Sequence, residues 1–439
     1  MLASFALAIA LQSPSGFVAT RYELSERLKR LDVAWMAAPD SARRSAAIDP
    51  LHEAVKSYFS MRMPEAAQAL DDATARLENR RLRPSDALNV RPATPFCEPG
   101  ATVNLKITWA YRPSSVLPVT VGVGSQQIDV KAGQTASLSV NPWLINLELR
   151  LNREVGFLLP IRVGSDQRYV YVSFVRKLND RLNRLKGSSS SFVSDTAKLL
   201  EGFQNNPSTM ETELPLIQLL FNAEAVEDGK TKVSDFESIY YARHKNTVLR
   251  AMFPKEKPDG PMNVVVAVHG AGGSENMFFE SYGRGLAASE AVKRGWAFVA
   301  PRAGSSCVND ALDWVSSVRG VKIGKVFLLG HSMGGGVVLS GKFSVVPAAI
   351  AAFAPAALKV SDDLASVPLY VAVGKQESVL RSGGTWAKLQ ASRSNMEYQE
   401  LDPAEHLMVV ASGLEAAYGF FDRYSQPDAT FFRDFFICP

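Results

Sequence analysis

Apolar and polar residues follow two different periods in the first half of the chain. From residue 20 to residue 89, apolar side chains recur every three to four positions, which predicts a small helical unit over residues 17–90. A proline-rich segment at 91–100 ends this pattern. Short stretches of alternating apolar and polar residues follow, and they predict a β-sandwich module over residues 96–176. The expected strands are Val103–Trp109, Val119–Val123, Ala136–Val140, Leu147–Leu151 and Tyr169–Phe174.

The second half combines helical segments with continuous apolar runs. Residues 177–230 predict a helical linker that contains the serine-rich joint 187–191, and residues 231–439 predict the largest domain. There an initial hairpin is followed by strands that alternate with helices, a pattern typical of a doubly wound, mostly parallel α/β sheet. Strands are expected at Phe236–Tyr241, Thr247–Phe253, Val264–Val268, Ala297–Ala300, Val326–Leu329, Ile350–Phe353, Leu369–Val373 and Tyr398–Leu401. Helices are expected near Leu286–Lys293, Val308–Val318, Gly335–Gly341 and Thr385–Ser392.

Composition places the chain among ordinary globular proteins. Its 439 residues exceed what one hydrophobic core usually organises, so two or three domains are expected. The 48 basic and 44 acidic residues nearly balance, and we find no basic cluster that predicts a nucleic-acid partner. After the N-terminal segment no apolar run reaches the length of a membrane-spanning helix, so no integral membrane segment is expected. The oligomeric state stays open.

The N-terminal residues 1–16 resemble a short signal peptide. An apolar stretch at 2–11 is followed by small residues, which predicts export to the periplasm or the medium. The segment is short and carries no Lys or Arg, so a buried helix in a cytoplasmic protein is the alternative. The three cysteines allow at most one disulfide, between Cys97 and Cys438, or three unpaired thiols. Their spacing does not suit a metal site, and no cofactor is expected.

The strongest chemical signal lies after the apolar run that ends at Leu329. The sequence Gly330-His-Ser-Met-Gly334 reads as a strand, a tight turn and the start of a helix, the context in which the G-x-S-x-G motif presents a nucleophile. Ser332 is therefore the candidate nucleophile. Gly330 and Gly334 would leave the space that such a turn requires.

A serine nucleophile needs a base, and the base needs an acid to orient it. Of five histidines, only His406 follows Ser332 in a loop beyond the last expected strand, so His406 is the candidate base. Glu377 lies about four residues beyond the strand that ends at Val373, where its carboxylate could accept the proton of the imidazole Nδ1. Asp402 and Glu405, beside the histidine, are the less natural alternatives.

A developing oxyanion needs two oriented donors. The N–H of Met333, directly after the nucleophile, is one candidate. The second is expected in the loop His269-Gly-Ala-Gly-Gly273, from the N–H of Ala271 or, as next choice, Gly272. We interpret His269 itself as structural.

Taken together, HGAGG, GHSMG, GKQE and EH occur in the order in which they stand in α/β-hydrolases, and the last two hundred residues resemble that superfamily. Within it they are similar to bacterial esterases of the feruloyl esterase, polyhydroxybutyrate depolymerase and dienelactone hydrolase-like groups. The resemblance implies ester hydrolysis through an acyl-enzyme with Ser332, His406 and Glu377 as the triad. Two residues depart from the family: a glutamate serves as the acid, and Glu405 precedes the histidine where a glycine is common. Residues 1–230 are not covered.

Three functions follow as hypotheses. The first is a serine carboxylic-ester hydrolase acting on a small-molecule or polymer-linked ester. The others are a serine peptidase of the same fold and a non-catalytic binding or scaffold protein that retains it. Only about 15 residues separate Phe353 from Leu369, too few for a cap domain, so any cover over the site must come from the N-terminal domains.

Overall fold

The computed structural model describes residues 17–115, 117–141, 153–380 and 382–425. Three sequence-based expectations lie outside these ranges: the signal peptide at 1–16, the strand at 147–151 and the pairing of Cys438 with Cys97. No helix in the described ranges is both long and apolar enough to cross a membrane.

Three helices form the N-terminal helical unit: α1 (Arg21–Ala37), α2 (Ser41–Phe59) and α3 (Met63–Leu77). Asp40 starts α2 because its side chain accepts a hydrogen bond from the N–H of Arg43. Helix α3 packs against both α1 and α2, and the contact surface consists of small and branched apolar side chains. A 3₁₀ turn at Pro84–Ala87 follows.

A buried ion pair lies where this unit meets the strands that follow. The guanidinium of Arg27 donates to Asp71 at 2.8 Å and to Asn89 at 2.7 Å, and each side chain of the Arg27–Asp71 pair is only 3% exposed. The Asp71 carboxylate also accepts from the hydroxyl of Tyr111 at 3.0 Å. Because both charges have partners in the interior, the pair links α1, α3 and the β module without leaving an unpaired charge.

The β module consists of two sheets. The first is antiparallel and has the order β1-β3-β6, and the second has the order β2-β8-β7-β4-β5. In Val103–Trp109 every second side chain is buried, as the alternation predicted. The strands of the first sheet are β1 (Leu88–Pro92), β3 (Val103–Trp109) and β6 (Ala136–Val140). Those of the second are β2 (Phe96–Cys97), β4 (Val119–Val123), β5 (Gln126–Val130), β7 (Val155–Val163) and β8 (Asp166–Phe174).

Several strands differ from the sequence-based expectation. Strand β1 begins inside the range assigned to the helical unit, because Leu88 pairs with Trp109 of β3. Strand β7 has a continuous apolar centre at 157–161 and so lacks the alternation that identified its neighbours. Strand β5 carries mostly polar residues and pairs with β4 across a tight turn.

Three further helices precede the large sheet. They are α4 (Leu178–Lys186), α5 (Ser191–Asn205) and α6 (Leu216–Glu227), and they share an apolar core of their own. Short 3₁₀ turns lie at Pro207–Thr209 and Val233–Asp235.

The large domain is built on an eight-stranded sheet with the order β9-β10-β12-β11-β13-β14-β15-β16. Strands β9 and β10 form an antiparallel hairpin, β10 is antiparallel to β12, and the other pairings are parallel. The predicted doubly wound, mostly parallel α/β sheet is therefore confirmed. The strands are β9 (Ser238–His244), β10 (Thr247–Met252), β11 (Met262–Val268), β12 (Ala297–Pro301), β13 (Ile323–His331), β14 (Ala349–Phe353), β15 (Leu369–Gly374) and β16 (Met396–Leu401).

Both faces of this sheet are covered by helices. Val264, Val266 and Val268 of β11 contribute to the core on one face, and Val265 and Ala267 contribute to the core on the other. Burial on both faces explains why these strands appear in the sequence as unbroken apolar runs. The helices are α7 (Met277–Glu280), α8 (Leu286–Lys293), α9 (Cys307–Arg319), α10 (Met333–Ser340), α11 (Gly383–Ser392) and α12 (Val409–Asp422), with a 3₁₀ turn at Asp362–Leu364.

The buried ion pair gives a stability prediction. Replacement of Asp71 by alanine leaves the Arg27 guanidinium buried without its carboxylate, which should cost about 3–5 kcal/mol. Asp72, its neighbour on α3, forms only a half-exposed pair with Arg76, so Asp72→Ala should cost below about 0.5 kcal/mol. Thermal melting followed by circular dichroism should show a clearly lower first transition for Asp71→Ala alone. Equal melting temperatures of the two variants would contradict this account.

Candidate active site

The candidate nucleophile lies on a sharp turn between β13 and α10. Ser332 has φ 52° and ψ −117°, a conformation that L-residues rarely adopt, and the helix begins at the next residue. A Cβ atom on Gly334 would lie 2.0 Å from the carbonyl oxygen of Val268, and one on Gly330 would lie 2.5 Å from the carbonyl oxygen of Gly334. Strand and helix therefore approach so closely that only glycine fits at both positions.

The structure brings Ser332, His406 and Glu377 together. The Nε2 of His406 is 3.0 Å from the Ser332 hydroxyl oxygen, and its Nδ1 is 2.9 Å from a carboxylate oxygen of Glu377. A carboxylate only accepts, so His406 Nδ1 donates to it and the neutral ring leaves Nε2 free to accept the serine proton. All three side chains are buried, with the His406 and Glu377 side chains 4% and 3% exposed.

Glu377 is held in its ionised form. Burial raises the pKa of its carboxyl, but the hydrogen bond and charge of His406 and two backbone N–H groups act in the opposite direction and outweigh it. These N–H groups belong to Val379 and Leu380 and lie 2.7 and 3.1 Å from one carboxylate oxygen. The combined effect is that the pKa of the Glu377 carboxyl lies below its usual value.

The two alternative acids are placed elsewhere. Asp402 is exposed, and its carboxylate accepts from Lys375 at 2.7 Å and from Gln376 at 2.8 Å. Glu405 is completely buried, and its carboxyl group accepts from the N–H groups of Leu407 and Met408, just before α12. Glu405 therefore fixes the backbone that follows the histidine, while Glu377 contacts the histidine ring.

His331, which precedes the serine, supports the histidine loop. Its Nε2 donates to the carbonyl oxygen of His406 at 2.9 Å, and its Nδ1 accepts from the hydroxyl of Tyr282 at 2.6 Å. Burial, followed by the nearby charge of His406, lowers the pKa of His331 well below its usual value, so the ring is neutral. Sequence reasoning did not find this contact, because Tyr282 and His406 are distant along the chain.

The glycine-rich loop after β11 lies against the nucleophile. A Cβ atom on Gly270 would be 3.1 Å from the Cβ of Ser332, so a side chain there would push the loop away. His269 fixes the loop from behind: its Nε2 accepts from the N–H of Ala303 at 3.0 Å, and its Nδ1 donates to the carbonyl oxygen of Gly270 at 2.8 Å. These contacts agree with the structural role expected for His269.

The proposed oxyanion donors lie on two sides of Ser332. Met333 is the first residue of α10, where backbone N–H groups have no acceptor within the helix. Ala271 and Gly272 are exposed and line the same cavity as Ser332. The three residues that the sequence predicted as donors therefore lie close to the nucleophile: Met333 directly follows it, and Ala271 and Gly272 are on the adjacent loop.

A cavity of about 150 Å³ opens at Ser332 and His406. One wall is the loop 270–274 of the large domain, and the opposite wall belongs to the N-terminal helical unit. Tyr58 of α2 lies directly on the loop, since its hydroxyl donates to the carbonyl oxygen of Gly272 at 3.0 Å. The cover over the site therefore comes from α1–α3, whereas the sequence indicated only that any cover must come from the N-terminal domains.

Further contacts attach the helical unit to the large domain. The Asp32 carboxylate of α1 accepts from the N–H groups of Gly283 and Arg284 at 2.7 and 2.8 Å. The indole N–H of Trp35 donates to the hydroxyl of Ser412 on α12 at 3.2 Å. Met408, near the histidine loop, is buried in the same apolar core as α1–α3. The helical unit and the site-bearing loops thus form one packed body.

The strand order, the turn at Ser332 and the order of the loops give residues 238–425 the α/β-hydrolase fold. Among the described residues, no group of His, Cys, Asp and Glu side chains is arranged to hold a metal ion.

Comparisons with known proteins found no matching family model and no matching curated protein. Solved structures similar to part of the chain include Est1E from Butyrivibrio proteoclasticus, at 14% identity and TM-score 0.34, over 43% of this chain and 99% of that one. A thermophilic esterase, Est2, from Thermogutta terrifontis is similar at 18% identity and TM-score 0.33, over 44% and 96%. S-formylglutathione hydrolase (FrmB) from Staphylococcus aureus is similar at 14% identity and TM-score 0.34, over 43% and 96%.

Glu405 gives a pH prediction. Burial is the largest influence on its carboxyl and raises its pKa from 4.5 to about 7, so the folded state retains a proton that the unfolded state releases. The stability from this group is fully present below pH 4.5 and is lost as the pH rises through about 7. Between these values, the melting temperature of the wild type should fall more steeply than that of Glu405→Gln. The exposed Glu415→Gln is the matched control and should follow the wild type; parallel curves for all three proteins would refute the assignment.

Proposed function

We propose that this protein is a serine hydrolase that cleaves carboxylic esters through an acyl-enzyme. The observation that carries the proposal is the continuous hydrogen-bonded chain from the Ser332 hydroxyl through His406 to Glu377, with distances of 3.0 and 2.9 Å. The strained serine turn next to a glycine-rich loop adds support, since nucleophile and backbone donors are then adjacent. A scaffold that had lost catalysis would not require this arrangement.

Acylation begins when the Ser332 oxygen attacks the ester carbonyl carbon while His406 Nε2 accepts the hydroxyl proton. The carbonyl π electrons move to the oxygen, and the resulting oxyanion accepts from the N–H of Met333 and from that of Ala271, with Gly272 as the next candidate. The intermediate collapses, the bond to the alcohol oxygen breaks, and His406 returns its proton to that oxygen.

Deacylation repeats the sequence with water. His406 Nε2 removes a proton from a water molecule, whose oxygen attacks the acyl carbon, and the second oxyanion uses the same donors. Collapse breaks the bond to Ser332, which regains its proton from His406, and the carboxylic acid leaves. In both halves Glu377 stabilises the imidazolium that forms, because its low pKa keeps the carboxylate charged.

The substrate in this proposal is a small-molecule or polymer-linked ester. Export through a signal peptide at residues 1–16 belongs to the same proposal and rests on the sequence pattern of that segment alone.

Removal of the nucleophile tests the reaction. Ser332→Ala should reduce the turnover of p-nitrophenyl esters by about 10⁶-fold, to near background, because no covalent intermediate can form. Ser340→Ala, an exposed serine at the end of α10, is the matched control and should retain wild-type turnover. Parallel assays with p-nitroanilide amides distinguish an esterase from a peptidase. Equal ester turnover by wild type and Ser332→Ala would rule out Ser332 as the nucleophile.

The acid has its own test. Glu377→Gln removes the charge that stabilises the imidazolium and should lower kcat by about 10⁴-fold, whereas Asp402→Asn, at the exposed acid near the same loop, should change kcat less than about threefold. Steady-state kinetics on one ester gives both values. A large loss in Asp402→Asn together with a small loss in Glu377→Gln would reverse the assignment.

A further inference from the structure

The wall opposite the nucleophile does not belong to the hydrolase fold. Leu24 and Leu28 of α1, Ala54 and Val55 of α2 and Leu70 of α3 line the cavity at Ser332. These side chains are apolar, and the contacts of Tyr58 and Asp32 with the large domain hold their helices in place. A group bound next to the nucleophile would therefore contact hydrocarbon contributed by the first 80 residues.

The charged side chains at this cavity already have partners. Arg21 pairs with Glu211 at 2.9 Å, and Glu280 pairs with Arg250 at 2.7 Å and with Lys29 at 3.3 Å. An ionised substituent would have to break one of these pairs or lose its hydration without compensation. The cavity thus favours an uncharged substituent.

The size of the cavity limits that substituent. A cavity of about 150 Å³ lined by apolar side chains can hold a group of about the size of a benzene ring. Burial of each additional methylene in such a site strengthens binding about fourfold, until the space is filled.

From these observations we infer that the N-terminal helical unit forms the substrate pocket and selects esters that carry an uncharged, apolar group of about the size of a benzene ring. Leu28 and Ala54 are the specificity-determining residues in this inference, because each contributes an apolar side chain to the cavity wall opposite the nucleophile. The inference rests on the proposed function, since it concerns the substrate of that same site.

The test compares two variants that change the cavity in opposite directions. Ala54→Leu enlarges the side chain and so narrows the cavity, whereas Leu28→Ala shortens the side chain and widens the cavity. Val33→Ala is the control outside the cavity, at a side chain on α1 that is 44% exposed. Each protein is assayed with p-nitrophenyl acetate, butyrate, hexanoate and hemisuccinate. A second series, the methyl, butyl and benzyl esters of acetic acid, covers binding of the alcohol group.

The expected result is a change in ratios of kcat/KM. In one of the two series, Ala54→Leu should lower the ratio of kcat/KM for the longest apolar ester to kcat/KM for the shortest ester at least tenfold. In the same series, Leu28→Ala should shift the highest kcat/KM to a longer ester. Val33→Ala should keep the wild-type ratios. The hemisuccinate should be about 10²-fold poorer than butyrate, because its carboxylate finds no free cation among the residues lining the cavity.

A binding measurement separates this inference from the proposed function. Hexyl p-nitrophenyl ether, which contains no ester bond, should bind the wild type and should bind Ala54→Leu at least tenfold more weakly by calorimetry. If the ether binds in this way but no ester is hydrolysed, the inference about the pocket would stand and the proposed hydrolase function would be refuted. Unchanged kcat/KM ratios in both folded variants, or a good rate with the hemisuccinate, would overturn the inference even if the esters are hydrolysed.

Discussion

The close contact between β13 and α10 is the constraint on which the site depends. Ser332 adopts its unusual backbone conformation because the chain must reverse from a buried strand into a helix within one residue. Glycines at 330 and 334 allow that approach, and any side chain at 334 would collide with the backbone of β11. The sheet order then places the loop after β11 on one side of the serine and the loops after β15 and β16 on the other. Nucleophile, base, acid and backbone donors are consequently brought to one edge of the sheet.

The helical unit completes this edge. Its contacts with the large domain are of different kinds: the Tyr58 hydroxyl donates to the glycine-rich loop, Asp32 accepts from the backbone at 283–284, and the Trp35 indole donates to Ser412 on α12. The apolar core of α1–α3 continues to Met408, close to the histidine loop. The elements that support the base and those that close the cavity are therefore packed together, so the geometry of the site and the shape of its pocket depend on the same interface.

The sequence predicted the large sheet for a physical reason, and the same reason directed the choice of candidate site residues. Strands buried on both faces must be apolar throughout, and polar residues directly after them must lie at the edge of the sheet. Ser332, Glu377 and His406 could be found from that rule, and the structure places them within hydrogen-bonding distance. The assignment of Glu377 over Asp402 followed from its position after β15.

Other features left no local signal. Strand β7 lacks alternation, and β1 directly follows the 3₁₀ turn at Pro84–Ala87, so neither strand was expected from the pattern. The position of the helical unit depends on long-range contacts such as that between Tyr58 and Gly272, 214 residues apart, which no periodicity records. The contacts of the neutral His331 with His406 and Tyr282 are also long-range and left no periodic signal in the sequence. The strand expected at 147–151 stays a prediction.

The most direct test of the central claim is the intact mass of the protein after treatment with a fluorophosphonate. This reagent reports activation of the serine and does not require the natural substrate. The account predicts one adduct per chain, located by peptide mapping at Ser332 and absent from His406→Ala. A folded wild-type protein that acquires no adduct, or acquires it at another residue, would contradict the account.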